Sequence, residues 1–343
     1  MASLKSTDQV KRRRWSKARW YWFSGIPLLV ALGCLFVGCC MLPRSKQSDP
    51  AKLVANPDEL REEVRALSED FGTRYYSQEG NMKRCREYIR RKLTEAGALV
   101  VEQEYQVKGR KLHNVRGFYG DRSKPRVVVG AHYDSCMIDA GENPGADDNA
   151  SGVAGLFGVA RLLQQERPTD VCVELVAYSS EEPPFFGTRD MGSYRHAELL
   201  KQENARVKGV LVLEMIGYFS DEPGSQQYPT SLFKAVYPSV GNFIAIVGGV
   251  PDRDLIATCK KAMQGSAPLP VISTCLPRSM GSVHLSDHRN YWPFGYSSVM
   301  ITDTSFYRNP NYHRTSDTWD TLDYARMAHV VTQTHQAILA LGR

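Results

Sequence analysis

Beyond its first 22 residues the 343-residue chain carries no net charge. Lys5, Lys11, Arg12, Arg13, Arg14, Lys17 and Arg19, set against Asp8, account for the whole formal charge of +6. A neutral remainder excludes a nucleic-acid surface built on bulk positive charge. No internal repeat and no low-complexity tract is present, which excludes a solenoid or propeller. Cysteine is scarce after the amino-terminal region. Cys85, Cys136, Cys172, Cys259 and Cys275 are odd in number, so an oxidising compartment would leave at least one unpaired. Connectivity cannot be read from sequence, and Cys259–Cys275 is the one pairing expected here. What remains is ordinary for a globular protein, 42% hydrophobic and 23% charged.

One segment lacks charge altogether. Residues 23–42, FSGIPLLVALGCLFVGCCML, have the length that a helix needs to cross a bilayer core, about 20 residues. Trp15, Trp20, Tyr21 and Trp22 would sit at the interface, and the basic residues 1–22 would stay cytoplasmic. The sequence therefore predicts a single-pass anchor with the rest of the chain extracytoplasmic, periplasmic in a bacterium. Phe36-Val37-Gly38-Cys39 loosely resembles a lipobox, and Cys39 and Cys40 are also juxtamembrane acylation candidates. Phe36 in place of the usual Leu favours the uncleaved anchor. Residues 43–57 read as a linker, and 58–343 as one large domain.

Within that domain helical periodicity covers residues 58–69 and 79–96, and further helices are predicted at 149–166, 189–202, 252–264 and 321–340. Strand-like runs lie at 98–107, 111–119, 126–131, 171–178, 208–214, 243–248 and 297–302. PRVVVGAH, VCVELVAYSS and GVLVLEMIGY are apolar at nearly every position, as strands buried on both faces are. The alternation predicts an α/β fold, three α/β/α layers around a mixed, mainly parallel central sheet.

In such sheets ligand sites gather beyond the carboxyl ends of the strands. Here four strand ends carry groups able to bind a metal: His132 and Asp134, Glu181 and Glu182, Glu214, and a final loop with His313. The stretch GENPGADDNASGVAG, residues 141–155, adds two adjacent aspartates ahead of a small-residue helix. Helix capping needs only one such side chain, and Asn149 with Ser151 can serve it. Two histidines among several carboxylates, with no cysteine in equivalent positions, suit zinc in a hydrolytic setting. In a two-ion arrangement Asp147 bridges, with His132 and Glu214 completing one shell and Glu182 and His313 the other. Asp134 is placed to hold the second ring nitrogen of His132. Glu181 is left over, and an unligated carboxylate there can deprotonate water and later protonate a leaving amine. His113, His196, His329 and His335 have no partners at ligand spacing and read as surface or helix-face residues.

These residues resemble the co-catalytic zinc exopeptidases related to bacterial leucyl aminopeptidase, with glutamate carboxypeptidases and glutaminyl cyclases among the relatives. The matching blocks are GAHYDS, PGADDNASG, SSEEPPFFGTRDMGS, LVLEMIGY, SDHRNYWPFGYSSVMITDT and NPNYHRTSDTWDTLD, in the family's order over residues 127–323. The resemblance implies a phosphorylase/hydrolase-like fold, two zinc ions held by His132, Asp147, Glu182, Glu214 and His313, and Glu181 as general acid/base. It implies a cis peptide bond after the bridging aspartate, at Asp147–Asp148. It further implies that SDHRNYW lines the substrate cleft, which makes Asp287 and His288 candidate substrate contacts; Tyr218 and Tyr296 are candidates as aromatics of an apolar side-chain pocket. Phe185, Phe186, Phe219 and Phe306 are further pocket candidates, although core packing suits most of these aromatics. Two features depart from the family's pattern: Glu214 stands where Asp is common, and Pro183-Pro184-Phe185-Phe186 follows the glutamate pair. The expected activity is hydrolysis of peptides from their amino end. A single-zinc glutaminyl cyclase, a carboxypeptidase or dipeptidase, and a metal-free binding domain are the alternatives.

Overall fold

The structure is a computed structural model that describes residues 48–138 and 142–343. The anchor expected at residues 23–42 and the lipobox-like Cys39 lie outside the described residues. No helix among the described residues is long and apolar enough to cross a membrane. Part of the expected linker lies against the domain, where Ser48 and Ala51 donate to the carbonyls of Gln264 and Ser266.

The helices are α1 (Pro57–Arg65), α2 (Glu79–Glu95), α3 (Gly152–Gln165), α4 (Gly192–Gln202), α5 (Ser231–Lys234), α6 (Arg253–Met263) and α7 (Tyr324–Leu341). The strands are β1 (Leu99–Val107), β2 (Arg110–Tyr119), β3 (Arg126–His132), β4 (Cys172–Tyr178), β5 (Val207–Glu214), β6 (Ile244–Gly249), β7 (Val271–Leu276) and β8 (Ser298–Thr302). Helix α1 begins where its sequence says it should. Asn56 accepts the Asp58 N–H, Pro57 fills the first turn, and Asp58 and Glu59 complement the helix dipole.

All eight strands form one mixed sheet in the order β1-β2-β4-β3-β5-β8-β6-β7. The central neighbours β4, β3, β5 and β8 run parallel, while β2 and β6 flank them antiparallel. Strands β3 and β4 are buried at every position, which is why their sequences show no alternation. One sheet face packs on α1, α2, α3, α6 and α7 in the main core. The other carries α4 and a 3₁₀ segment, Asp287–Phe294, packed on Val128, Val176, Val210 and Val212. Glycine lets α3 approach α7 closely: a Cβ on Gly158 would lie 2.8 Å from Val331 Cγ1.

Two readings of the sequence need correction. Strand β7 was not predicted, because six residues behind Pro270 show little periodicity. Cys259 and Cys275 are buried and no disulfide joins them; Cys259 is on α6 and Cys275 on β7. Of the surface or helix-face positions expected for His196 and His335 the structure gives the second: they lie on α4 and α7 and are fully buried.

His196 belongs to a buried ionic network. Glu174 on β4 accepts from Arg116 Nε at 2.6 Å, Arg126 Nη1 at 3.0 Å and His196 Nε2 at 2.9 Å. Burial opposes charge on Glu174, but His196 and the two guanidiniums outweigh it and hold its carboxyl at about 2. Glu174→Gln removes the fully buried anion and leaves the two guanidiniums only the partly exposed Glu203, 2.7 Å from Arg126 and 3.4 Å from Arg116; it is expected to destabilise by about 3 kcal/mol in urea unfolding at neutral pH. Because the folded pKa is depressed, this difference is full above the ordinary value of 4.5 and shrinks as pH falls toward about 2. A difference independent of pH over that window would refute the linkage.

Candidate active site

The parallel direction of β3, β4, β5 and β8 brings their carboxyl ends to one edge, and the chemistry collects there. His132 ends β3, Glu181 and Glu182 follow β4, Glu214 ends β5, and His313 lies in the loop after β8. The structure brings all five together around Asp148. Its carboxylate lies 3.3 Å from His132 Nε2 and 3.1 Å from His313 Nε2. Glu214 is 3.4 Å from His132 Nε2, and Glu182 is 3.4 Å from His313 Nε2.

Sequence reading put Asp147 at that centre, and the structure puts its neighbour there instead. Asp147 turns away from the imidazoles. Its carboxylate accepts from Gly217 N at 2.9 Å and from Asn309 Nδ2 at 2.7 Å. Burial and the adjacent Asp303 push its carboxyl well above the ordinary range. The reason is local. Asp317 accepts the N–H groups of both Asp147 and Asp148, at 2.9 and 3.1 Å, and fixes the turn so that the two side chains diverge. Gly145, at φ +55°, enters the same turn in the left-handed region that glycine alone adopts freely. The cis peptide bond lies one residue later than expected, at Asp148–Asn149; Pro183–Pro184 is also cis.

Asn149 does serve the helix start, accepting Gly152 N at 3.0 Å, and it also accepts Met215 N beyond β5. Asp134 sits behind the cluster. Its carboxylate is 3.4 Å from His132 Nδ1 and accepts the N–H groups of Glu181 and Glu182 at 3.0–3.1 Å. Ser286 donates to Glu214 at 2.7 Å. Arg74, wholly buried, donates to the carbonyls of Leu67, Tyr133, Pro144 and Gly145 and ties the β3 loop to the aspartate turn. Neither Arg74 nor Asp317 stood out in the sequence. Both act on backbone groups far away in the chain, and no spacing rule marks that.

The cluster draws positive charge. Burial works against a charge on His132, yet Glu214, Asp134 and Asp148 outweigh it and raise its pKa. Asp148 lies between two imidazoles and is held below the carboxylate range despite its burial. Burial, opposed by His132 and reinforced by Glu214 and Glu182, pushes the Glu181 carboxyl well above that range. Burial and Asp148 push Glu182 up to about 7, against the pull of His313. His132 Nε2, His313 Nε2 and Glu182 Oε1 are buried and make no hydrogen bond. Buried ring nitrogens and carboxylate oxygens crowded together without hydrogen bonds are expected where a cation completes them. Three groups lie close enough to hold one: His132 with Asp148 and Glu214, His132 with Glu181 and Glu182, and His313 with Glu182 and Cys136.

A cavity of about 240 Å³ opens from Asp148, Glu181, Glu182, Glu214 and His313. Away from these acids its wall is apolar, formed by Phe186, Phe233, Tyr237, Phe243 and Met300. The four substrate contacts expected from sequence do not line it, and this corrects them. Asp287 is buried as the acceptor of Ser193 Oγ, and His288 Nε2 bonds the Val283 carbonyl at 2.7 Å. The 3₁₀ turn Asp287–Phe294 directs both inward. Tyr218 packs on the main core and Tyr296 on the opposite face of the sheet. Of the other aromatic candidates Phe186 and Phe306 line the cavity, while Phe185 packs beside Val107 and Leu112 and Phe219 on the main core. The wall residues from Phe233 to Met300 escaped sequence reading because Phe233 and Tyr237 belong to the short, unpredicted α5 region, and no motif marks which side chains of the predicted strands at Phe243 and Met300 face the site.

A model described as peptidase family M28 matches residues 114–338. The Escherichia coli (strain K12) protein YfbL, described as uncharacterized, is 43% identical over 281 residues, covering 81% of this chain and 86% of that one. Among solved structures, the Legionella pneumophila LapA aminopeptidase is similar at TM-score 0.65 and 19% identity, covering 84% of this chain and 72% of its own. The Fimbriiglobus ruber glutaminyl cyclase is similar at TM-score 0.64 and 20% identity, covering 87% and 99%. Both likenesses speak to the fold.

Proposed function

The chain belongs to peptidase family M28, and from that premise we propose that it is a metallo-aminopeptidase removing apolar residues from the amino ends of peptides. Membership makes it a zinc-dependent hydrolase of the exopeptidase type. The observation that carries the finer reading is the position of Asp148 between two orphaned imidazoles at the mouth of an apolar cavity.

In this reading His132, Asp148 and Glu214 would hold one zinc ion, and His313 and Glu182, beside Asp148, would hold a second. Bound there, zinc supplies Lewis acidity and makes water acidic enough to lose a proton near neutral pH. The chain does the rest. Asp134 keeps His132 oriented through Nδ1 and, by accepting two backbone N–H groups, fixes the turn that presents Glu181. Glu181 takes the proton from the attacking water and passes it to the departing amine. The apolar wall receives the first side chain of the substrate and excludes water from it.

Leucine and phenylalanine amides test this directly. Hydrolysis should stop on chelation, return with zinc, and favour leucine over glycine by at least about tenfold. N-acetylated substrates should be refused; equal cleavage of these would overturn the amino-end reading. A cyclase, the second reading, has the fold likeness in its favour. It would instead release ammonia from an amino-terminal glutamine.

The uncharged run at residues 23–42 with its basic flank supports an anchored enzyme whose domain is extracytoplasmic. A full-length chain recovered without detergent from the soluble fraction would overturn that.

A further inference from the structure

Two segments wall the apolar cavity on one side, residues 183–188 and 282–289. Pro183, Phe186, Ser282 and Leu285 face the cavity. The reverse of the same wall faces a second cleft, where Arg189, Arg278, His284 and Arg289 converge with Tyr194 and Trp292, and no carboxylate lines it. Arg278 is neutralised by Asp252 at 2.7 Å and lies over the Trp292 ring. Arg189 and Arg289 have no carboxylate partner among the described residues. The Arg289 guanidinium lies 5.3 Å from the centre of the Phe186 ring, and Nη1 donates to the His284 carbonyl at 3.3 Å. His284 Nδ1 is buried without a hydrogen-bond partner.

Packing does not require these groups to converge. Like charges in one cleft repel, and the cost is recovered only when an anion enters. A guanidinium held by an aromatic ring on one side and a carbonyl on another is oriented before any ligand arrives, which suits a planar carboxylate. Phe186 separates this cleft from the acidic cavity, its ring lining one and carrying Arg289 of the other.

We infer that this cleft is a subsite for the leaving portion of the substrate and that it selects a carboxylate there. The inference rests on the aminopeptidase reading. The carboxylate has two possible sources, the free carboxyl end of a short peptide or an Asp or Glu side chain of a longer one.

The experiment compares peptides that share an amino-terminal leucine followed by one to three alanines, each with a free carboxyl end or as the amide. A second set of amides carries Glu or Lys among the following residues. With zinc present and at low salt, at least one carboxylate peptide should exceed its neutral counterpart in kcat/KM by about tenfold. The ratio should shrink as salt rises. A preference for free ends over amides assigns the terminal carboxylate, and a preference for Glu over Lys assigns the side chain. Arg189→Glu, on an exposed loop, and Arg289→Gln should each bring the ratio toward one. A ratio near one in the unaltered enzyme, or one that persists in both variants, overturns the inference. Failure to hydrolyse even leucine amide would instead count against the aminopeptidase reading. The cleft is then decided by calorimetric titration of the Glu181→Gln protein with the carboxylate peptide and its amide. Tighter binding of the carboxylate supports the subsite, and equal binding removes it.

Discussion

Glu181→Gln is expected to lower kcat by at least about 10³-fold while the purified protein keeps its zinc. The substitution preserves shape and the backbone N–H groups that Asp134 accepts, and it removes only the proton-accepting carboxylate. The geometry sharpens what the experiment decides. His132, Glu181 and Glu182 lie close enough to hold an ion together, so Glu181 could in principle be a ligand. Metal analysis of the dialysed variant separates the roles. Full zinc with no turnover identifies the general acid/base, whereas loss of zinc makes Glu181 a ligand and leaves the proton transfer to another group. Retained turnover would remove Glu181 from the mechanism altogether.

The second large effect distinguishes two neighbours. Asp148→Asn should weaken zinc binding by well over the 10- to 100-fold typical of outer-shell changes, and activity should fall with it. Asp147→Asn should keep the metal. Its carboxylate accepts from Gly217 and Asn309 and faces Asp303, so the substitution disturbs hydrogen bonds rather than ligands. A loss of about 1–2 kcal/mol in thermal or urea unfolding is expected there. Equal loss of zinc from both variants would contradict the assignment of Asp148 as the ligand.

The pair also shows where sequence reading stops. Four strand ends carrying imidazoles and carboxylates were legible because strand period and apolar runs mark the ends of β3, β4, β5 and β8. Parallel pairing of these strands then sends those residues to one edge. Which of two adjacent aspartates faces the imidazoles was not legible, since both lie in the same turn with the same chemistry. Asp317, about 170 positions away, orients that turn by accepting two of its N–H groups. The expected substrate contacts failed for a similar reason. Asp287 and His288 sit in a polar-looking segment, but its 3₁₀ turn points them at Ser193 and the Val283 carbonyl.

By itself the sequence determined the inventory: an α/β sheet, the metal-competent side chains at its strand ends, a spare glutamate, and a basic, uncharged-run amino terminus. Those properties follow from periodicity and residue chemistry, which are local. Tertiary structure alone decided that Asp148 stands between His132 and His313, that the cavity wall comes from β6 to β8, and that unpaired arginines gather behind Phe186. Each of these depends on side-chain direction and on contacts between residues far apart in the chain, and both are set by packing.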